Sequence, residues 1–349
     1  MSEHVPADTF LYLTRKDVMA TCAHLDSVEI IREVFRLHAT NQTILPDEAY
    51  LGWRNNQGEQ VRSINMPAYV GGTLQSAGTK IINGNIANPT RGLPRASGLT
   101  LLYDDTTVRV TCMMESAYVS SLRTASVSIL SALLLQDTPI EHVAVIGAGV
   151  IAQMHIELLM KYLPALRTIR IFDINPQQID QLRRALTALP QQVTLQATAT
   201  AEEAVRSAQL IIPATTTTSP YIPYNWLQAG AIVVNVSLDD VMPDVVWQAN
   251  AIIVDDWMLV KNDTRRLLGR MYHEGSLVGP DDPAPAHSQA IRRVDAQLGD
   301  LVDGRRVGRQ SAQDIILVNP FGLAIEDVAL ATYVYRTARE LGLGQHLSY

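Results

Sequence analysis

Cysteine is scarce: Cys22 and Cys112 are the only two in 349 residues, and neither sits in a partner motif. That argues against a disulfide framework and a zinc site, and it fits a reducing compartment. Positive charge is in the minority, with 28 Lys and Arg against 35 Asp and Glu and a formal net charge of −7. The basic stripe that nucleic-acid binding requires is missing. No apolar run is expected to reach the ~18 residues of a membrane helix. The longest candidate, around Ile129–Leu135, is short and lies on a helix with serines spaced along it. The opening MSEHVPADTF is acidic and polar, so no signal peptide is expected. No internal repeat or low-complexity tract occurs. These absences point to a cytoplasmic protein with neither a nucleic-acid nor a membrane partner. At 349 residues and 47% hydrophobic content, the chain has room for two domains.

The first ~45 residues read as helical, with Thr14 and Asp26 as N-caps. Residues ~48–115 break into short strands separated by Gly, Asn and Asp turns, which predicts an antiparallel or mixed sheet. A long helix is expected from about Ser116 to Leu135. Apolar strands then alternate with helices from HVAVIGA to AIIVDD, the pattern of a parallel, doubly wound sheet. Residues ~262–318 are polar and loop-rich and are expected to hold helices and a connection. NPFGLAIEDVALATYVYRTARELGLG closes the chain as an amphipathic helix with a glycine stop. The fold class is therefore α/β: a Rossmann-like doubly wound parallel sheet over 126–319, inserted in an α+β substrate and dimerisation domain made of 1–125 and 320–349.

Gly147, Gly149 and Ala152 form G-x-G-x-x-A between the strand Val143–Ile146 and a helix opened by Val150 and Ile151. The first glycine allows the tight turn, the second admits a pyrophosphate to the backbone, and the third small residue lets helix pack on strand. The free N–H groups and dipole of the helix then face the phosphates. Asp173, 26 residues after Gly147, ends the next strand. Its carboxylate suits ribose hydroxyls and repels a 2′-phosphate, and Ile174 and Asn175 offer that phosphate no arginine. NAD is favoured over NADP; the competing role for Asp173 is to cap the Asn175–Pro176 turn. Thr215 and Thr216 follow another strand end, where either cofactor contact or a polar turn is expected.

Outside this unit, Lys80 lies on a strand, where a lone lysine is ordinarily a solvated edge residue. Arg123 sits among small residues in SSLRTASVS, which suggests close packing against a buried anion, a structural salt bridge being the rival. Arg62 offers a fork to a carboxylate. In NVSLDDVMPDV, Ser237 is expected near the cofactor, and Asp239 or Asp240 at the nicotinamide end or as a helix cap.

Taken together, MPAYVGG…GTKIING, ASGLTLLYDDTT, MESAYVSSLRTASVS, VAVIGAGVIAQMH, NVSLDD and NPFGLAIEDVALA resemble the ornithine cyclodeaminase/mu-crystallin family over most of the chain. SSLRTASVS and NPFGLAIED look like its branch of NAD-dependent N-(2-amino-2-carboxyethyl)-L-glutamate dehydrogenases, which serve 2,3-diaminopropionate synthesis in siderophore and antibiotic pathways. The resemblance implies Lys80 and Arg123 at the substrate carboxylate, Asp240 as the catalytic acid and base with Lys80 as a second catalytic residue that polarises the carboxylate or holds the water, and Phe321–Gly322 returning near the nicotinamide. It also implies a homodimer and a small amino-acid-like substrate. Glu48 stands where cyclodeaminases carry a carboxylate-binding arginine, with Arg62 as a possible substitute, and the cyclodeaminase GGDCPG is replaced by SLDDVMP. An ornithine cyclodeaminase, a ketimine reductase and a non-catalytic mu-crystallin-like binding protein remain the alternatives.

Overall fold

The computed structural model describes residues 8–186, 189–283 and 291–349. The chain divides into two compact units: Met1–Arg123 with Leu323–Tyr349, and Thr124–Gly322. Part of the polar stretch GPDDPAPAHSQ lies outside the described residues.

In the first unit, seven strands lie side by side: Gln345–Ser348, Thr9–Leu13, Val110–Glu115, Ala96–Tyr103, Ser76–Asn85, Gln60–Val70 and Thr43–Ile44. An eighth, Ala49–Arg54, also pairs with Gln60–Val70. Every pairing is antiparallel except that of Thr9–Leu13 with Val110–Glu115, so the sheet is mixed. Along Gln60–Val70, Ile64, Met66, Ala68 and Val70 are buried while the residues between them are half-buried or exposed, the period-two pattern of a sheet covered more on one face than the other. The N-terminal helices Arg15–Cys22 and Ser27–Ala39 start where expected. Thr14 forms a reciprocal capping box with Asp17, and Asp26 accepts the Glu29 N–H at 3.1 Å. The strands Thr9–Leu13 and Gln345–Ser348 were not anticipated; they pair with each other and join the two ends of the chain in one sheet.

The second unit holds an eight-stranded sheet in which every pairing is parallel. Its order is Thr194–Ala197, Thr168–Phe172, His142–Ile146, Leu210–Pro213, Ile232–Val234, Ile316–Val318, Ala251–Val254, Ala296–Gln297. The inner strands are buried throughout and read as continuous apolar runs, as helices on both faces demand. Strand order reverses between His142–Ile146 and Leu210–Pro213, the switch point at which doubly wound sheets open a crevice beyond their carboxyl ends. Residues 262–318 hold the expected helices, Leu267–His273 and Leu298–Val302, but Ile316–Val318 was not anticipated: it is a central strand between Ile232–Val234 and Ala251–Val254.

The helix Ser116–Leu135 passes from one unit into the other. Its length and composition qualify it as a membrane-spanning candidate, against the expectation from apolar runs. Most of it is nevertheless buried in the protein and Arg123 interrupts it, as in a core helix. In the second unit it carries Ser128, whose hydroxyl lies 2.8 Å from Nε2 of buried His155; Nδ1 lies 2.7 Å from the Ile151 carbonyl. A carbonyl only accepts, so Nδ1 carries a proton. Burial pushes the His155 pKa down to about 4, against the pull of the Ile151 carbonyl. The unfolded chain therefore binds a proton that the folded one refuses between pH ~6.5 and ~4. The stability concerned is intact above 6.5 and falls away on acidification, by on the order of 3 kcal/mol. Urea unfolding at pH 7.5, 5.5 and 4.5 should show the wild type losing more stability than His155→Gln; equal losses would remove His155 as the cause.

Candidate functional site

The carboxyl edge of the parallel sheet is built around Gly147. Its φ of +97° suits glycine, and a Cβ there would come 2.8 Å from the Ala214 carbonyl oxygen. Gly149 is extended and begins the helix Val150–Tyr162 without a side-chain cap; a Cβ there would meet nothing within 4 Å. The turn thus opens onto free space at the end of a helix whose first N–H groups need an acceptor. Ala152 is buried, so helix and strand approach closely. Val150 and Ile174 stand 62% and 94% exposed beside the turn, and the Ile151 carbonyl is taken by His155. These features fit a dinucleotide: open backbone for a pyrophosphate and apolar side chains for a flat ring.

Asp173 takes the capping role weighed for it. One carboxylate oxygen accepts the Asn175 N–H at 2.8 Å and the other accepts the Ala148 N–H at 2.8 Å. It caps the turn and holds the glycine loop, and each oxygen keeps a lone pair for a ribose hydroxyl.

Three expected residues converge on one another. The Asp240 carboxylate accepts hydroxyls from Thr215 at 2.7 Å, Tyr221 at 2.9 Å and Ser237. Burial holds its carboxyl above the usual carboxylate range, while the Ser237, Thr215 and Tyr221 hydroxyls pull it down. Asp239 instead pairs with Arg270 at 3.0 Å, and its Oδ1 is buried with no partner among the described residues. Thr216 is exposed and stands apart from this cluster. Gly322 has a φ of +94°, and its N–H donates to Asp255 at 2.6 Å. Asp255 is fully buried, which raises its pKa against the Gly322, Phe321 and Asp256 N–H groups.

In the first unit Lys80 is no solvated edge residue. It is buried, with Nζ 2.6 Å from Asp327 Oδ2 and 3.3 Å from the Ser120 hydroxyl. Arg123 reaches the same Asp327 at 3.3 Å and Glu326 at 2.9 Å. Burial pushes the Lys80 pKa down; Asp327 opposes that and Arg123 adds to it. Glu326 and Asp327 were missed as site residues. The signal was two adjacent acids in the apolar helix NPFGLAIEDVALA, since buried acids demand partners. Arg62, half-buried on Gln60–Val70, and Glu48, just before Ala49–Arg54, do not join this cluster among the contacts described.

The parallel sheet, its switch point and the glycine turn define the class of Rossmann-like nucleotide-binding proteins. Within it, the chain belongs to the ornithine cyclodeaminase/mu-crystallin family, whose model matches residues 9–342. It is 31% identical over 345 residues to N-((2S)-2-amino-2-carboxyethyl)-L-glutamate dehydrogenase of Staphylococcus aureus, covering 97% of this chain and 98% of that one. Among solved structures it is similar to CmnK, with 34% identity, a TM-score of 0.89 and coverage of 98% and 99%. It shares the fold of Thermococcus litoralis Delta(1)-pyrroline-2-carboxylate reductase, solved with NADH and L-proline, with 21% identity, a TM-score of 0.83 and coverage of 96% and 99%.

The two glycines should behave differently on substitution. Gly147→Ala strains the backbone and crowds the Ala214 carbonyl, and should lower the melting temperature clearly. Gly149→Ala should melt like the wild type yet bind NAD at least ~10-fold more weakly in calorimetry. Unchanged NAD affinity in Gly149→Ala would show that the open space is not the pyrophosphate site.

Proposed function

We propose that the protein oxidises N-(2-amino-2-carboxyethyl)-L-glutamate, a secondary amine, and hydrolyses the resulting imine to 2-oxoglutarate and L-2,3-diaminopropionate. The protein is an oxidoreductase and its cofactor is NAD. The Asp240 cluster carries this reading: a buried carboxylate whose pKa is raised, reached through three hydroxyls, suits proton transfer. Full-length similarity to the S. aureus dehydrogenase supports the choice of substrate.

NAD, when bound, supplies the hydride acceptor. Gly147, Gly149, Val150 and Ile151 hold its pyrophosphate, Asp173 its ribose, and Thr215, Thr216, Ser237 and Gly322 border it. Loss of hydride from the carbon beside nitrogen leaves a positive iminium carbon. Ionised Asp240 stabilises that charge. It takes the amine proton first and passes it to solvent before the hydride leaves, then takes a proton from the water that adds to the same carbon and returns it to nitrogen; the carbon–nitrogen bond breaks as the new hydroxyl loses its proton, giving 2-oxoglutarate and the diamine. Lys80 and Arg123 orient a substrate carboxylate, exchanging part of their contact with Asp327 and Glu326 for it. Arg62 supplies further positive charge, and Glu48 faces the substrate ammonium. The enzyme works in the cytoplasm as a homodimer.

The test is absorbance at 340 nm with NAD and the glutamate conjugate, with ornithine in a parallel cuvette. NADH and 2-oxoglutarate should rise in equal amounts with the conjugate alone. Proline and ammonia from ornithine without free NADH would make the protein a cyclodeaminase instead. Since Asp240 must be ionised to accept a proton, kcat should fall on acidification through a pKa above the ordinary carboxylate range. Asp240→Asn should lose that acid limb and ~100-fold or more in kcat while binding NAD normally. Near wild-type turnover by Asp240→Asn would end its assignment.

A further inference from the structure

Asp240 is fully buried, so a proton reaches its carboxylate through one of the three hydroxyls around it. Those hydroxyls are not equivalent, although each has one proton to give. The Thr215 hydroxyl accepts the Thr217 N–H at 3.1 Å and gives its proton to Oδ1 of Asp240. The Tyr221 hydroxyl gives its proton to the same oxygen. Burial and the charge of Asp240 push the Tyr221 pKa up, so that hydroxyl stays protonated. The main chain fixes this arrangement. The N–H groups of Tyr221 and Ile222 both donate to the Asp240 carbonyl at 2.9 Å, and the Met242 N–H returns to the Ile222 carbonyl at 2.9 Å. Tyr221 therefore grips Asp240 at its main-chain carbonyl and at its carboxylate. Ser237 differs: it faces Oδ2, and its hydroxyl has a second acceptor in reach, the Pro213 carbonyl at 3.3 Å. Among the described residues, Thr215 and Tyr221 have no second acceptor for theirs.

Counting protons places the one that Asp240 takes up. All three hydroxyls can donate to the ionised carboxylate. Once it is protonated, one of them must turn away. A proton on Oδ1 would point at Thr215 or Tyr221, and that hydroxyl would lose its acceptor, which is costly away from water. A proton on Oδ2 points at Ser237, whose own proton then turns to the Pro213 carbonyl, and every group stays paired. Asp239, the charged neighbour in the chain, pairs with Arg270 at 3.0 Å and acts on the carboxyl whichever oxygen holds the proton.

We propose that Asp240 works through Ser237. The protonated amine gives a proton to Ser237 Oγ while Ser237 passes its own proton to Asp240 Oδ2, and the Pro213 carbonyl accepts the new serine hydroxyl. One N–H and one O–H bond break and two O–H bonds form; amine and carboxylate both become neutral. Run backwards, the relay returns a proton to nitrogen in the hydrolytic half. The relay rests on the function proposed above, in which Asp240 is the acid and base.

Neutron diffraction of the deuterated full-length protein at about pH 8 and about pH 4.5 tests the proton's place without substrate. At the acid pH a deuteron should lie on Oδ2, aimed at Ser237, with the Ser237 deuteron aimed at the Pro213 carbonyl. At pH 8 the Ser237 deuteron should point at Oδ2 instead. A deuteron on Oδ1, none on either oxygen, or a Ser237 hydroxyl that points the same way at both pH values overturns the proposal. In turnover, Ser237→Ala should lose ~100-fold in kcat while KM and NAD affinity stay near wild type. Tyr221→Phe leaves the relay in place and should lose no more than ~10-fold. Ser237→Thr keeps the hydroxyl and should recover most of the rate, which guards against a merely structural defect in the alanine variant. A kcat for Ser237→Ala at or above that of Tyr221→Phe overturns the relay. The expected deuteron positions without oxidation of the conjugate support the proton's place and refute the function alone; oxidation that survives Ser237→Ala refutes the relay alone.

Discussion

The first unit is assembled from the two ends of the chain, and the buried charges around Asp327 make that assembly specific. Lys80 and Asp327 are 247 residues apart in sequence, and Arg123 and Glu326 are 203 apart. Bringing such distant segments together carries a loop-closure cost that grows only slowly with length. The intervening domain is therefore thermodynamically easy to insert. Location is the harder constraint: the C-terminal helix Ala324–Glu340 has many apolar positions and could pack in more than one register. Two carboxylates buried on it accept only the register that delivers them to Lys80 and Arg123. A mismatch leaves charges without partners in the interior, where removing one member of a buried pair costs about 3–5 kcal/mol. Thr332 adds a second tie, to the Ser76 hydroxyl at 2.7 Å.

The second unit uses buried and half-buried acids in another way. Asp173, Asp240 and Asp255 follow three of its parallel strands, and each binds a neighbouring loop through N–H or hydroxyl groups. Asp173 holds the glycine turn, Asp240 gathers residues 215, 221 and 237, and Asp255 fixes the turn at Gly322. Arg266 completes that last turn by donating to the carbonyls of Pro320 and Phe321 at 2.9 and 3.1 Å. The carboxyl edge of the sheet is thus shaped by its own charged groups before any ligand arrives. That is the preorganisation an electrostatic site requires.

What could be read from residues alone was what local pattern determines. The helix caps at Thr14 and Asp26, the apolar strands of the parallel sheet and the glycine turn all express short-range rules. The misses share a different cause. Thr9–Leu13 and Gln345–Ser348 are strands because each finds the other, and neither carries a signal stronger than its helical surroundings. Ile316–Val318 is three residues long and lies in a polar stretch, so only its two parallel neighbours make it a central strand. Lys80 and Arg123 were picked out, but their partners were not, because a charge pair 200 residues apart leaves no periodicity. The fate of Asp173 was ambiguous for a further reason: capping a turn and meeting a ribose use different lone pairs of one carboxylate, and both fit.

The distribution of charge in the first unit separates what holds the fold from what is free to vary. The group around Asp327 balances itself, so any change there must be compensated within it, and the helix that brings Asp327 depends on the outcome. The ladder of Gln60–Val70 with Ser76–Asn85 is under no such constraint at its far end, where Arg62 faces a glycine and Glu59 is occupied by Arg91. Side chains at alternate positions of that ladder project onto one face, so one substitution there adds or removes a charge without disturbing the register. A scaffold built this way can keep its cofactor turn, its acid and its buried ion pairs while exchanging the outlying cations.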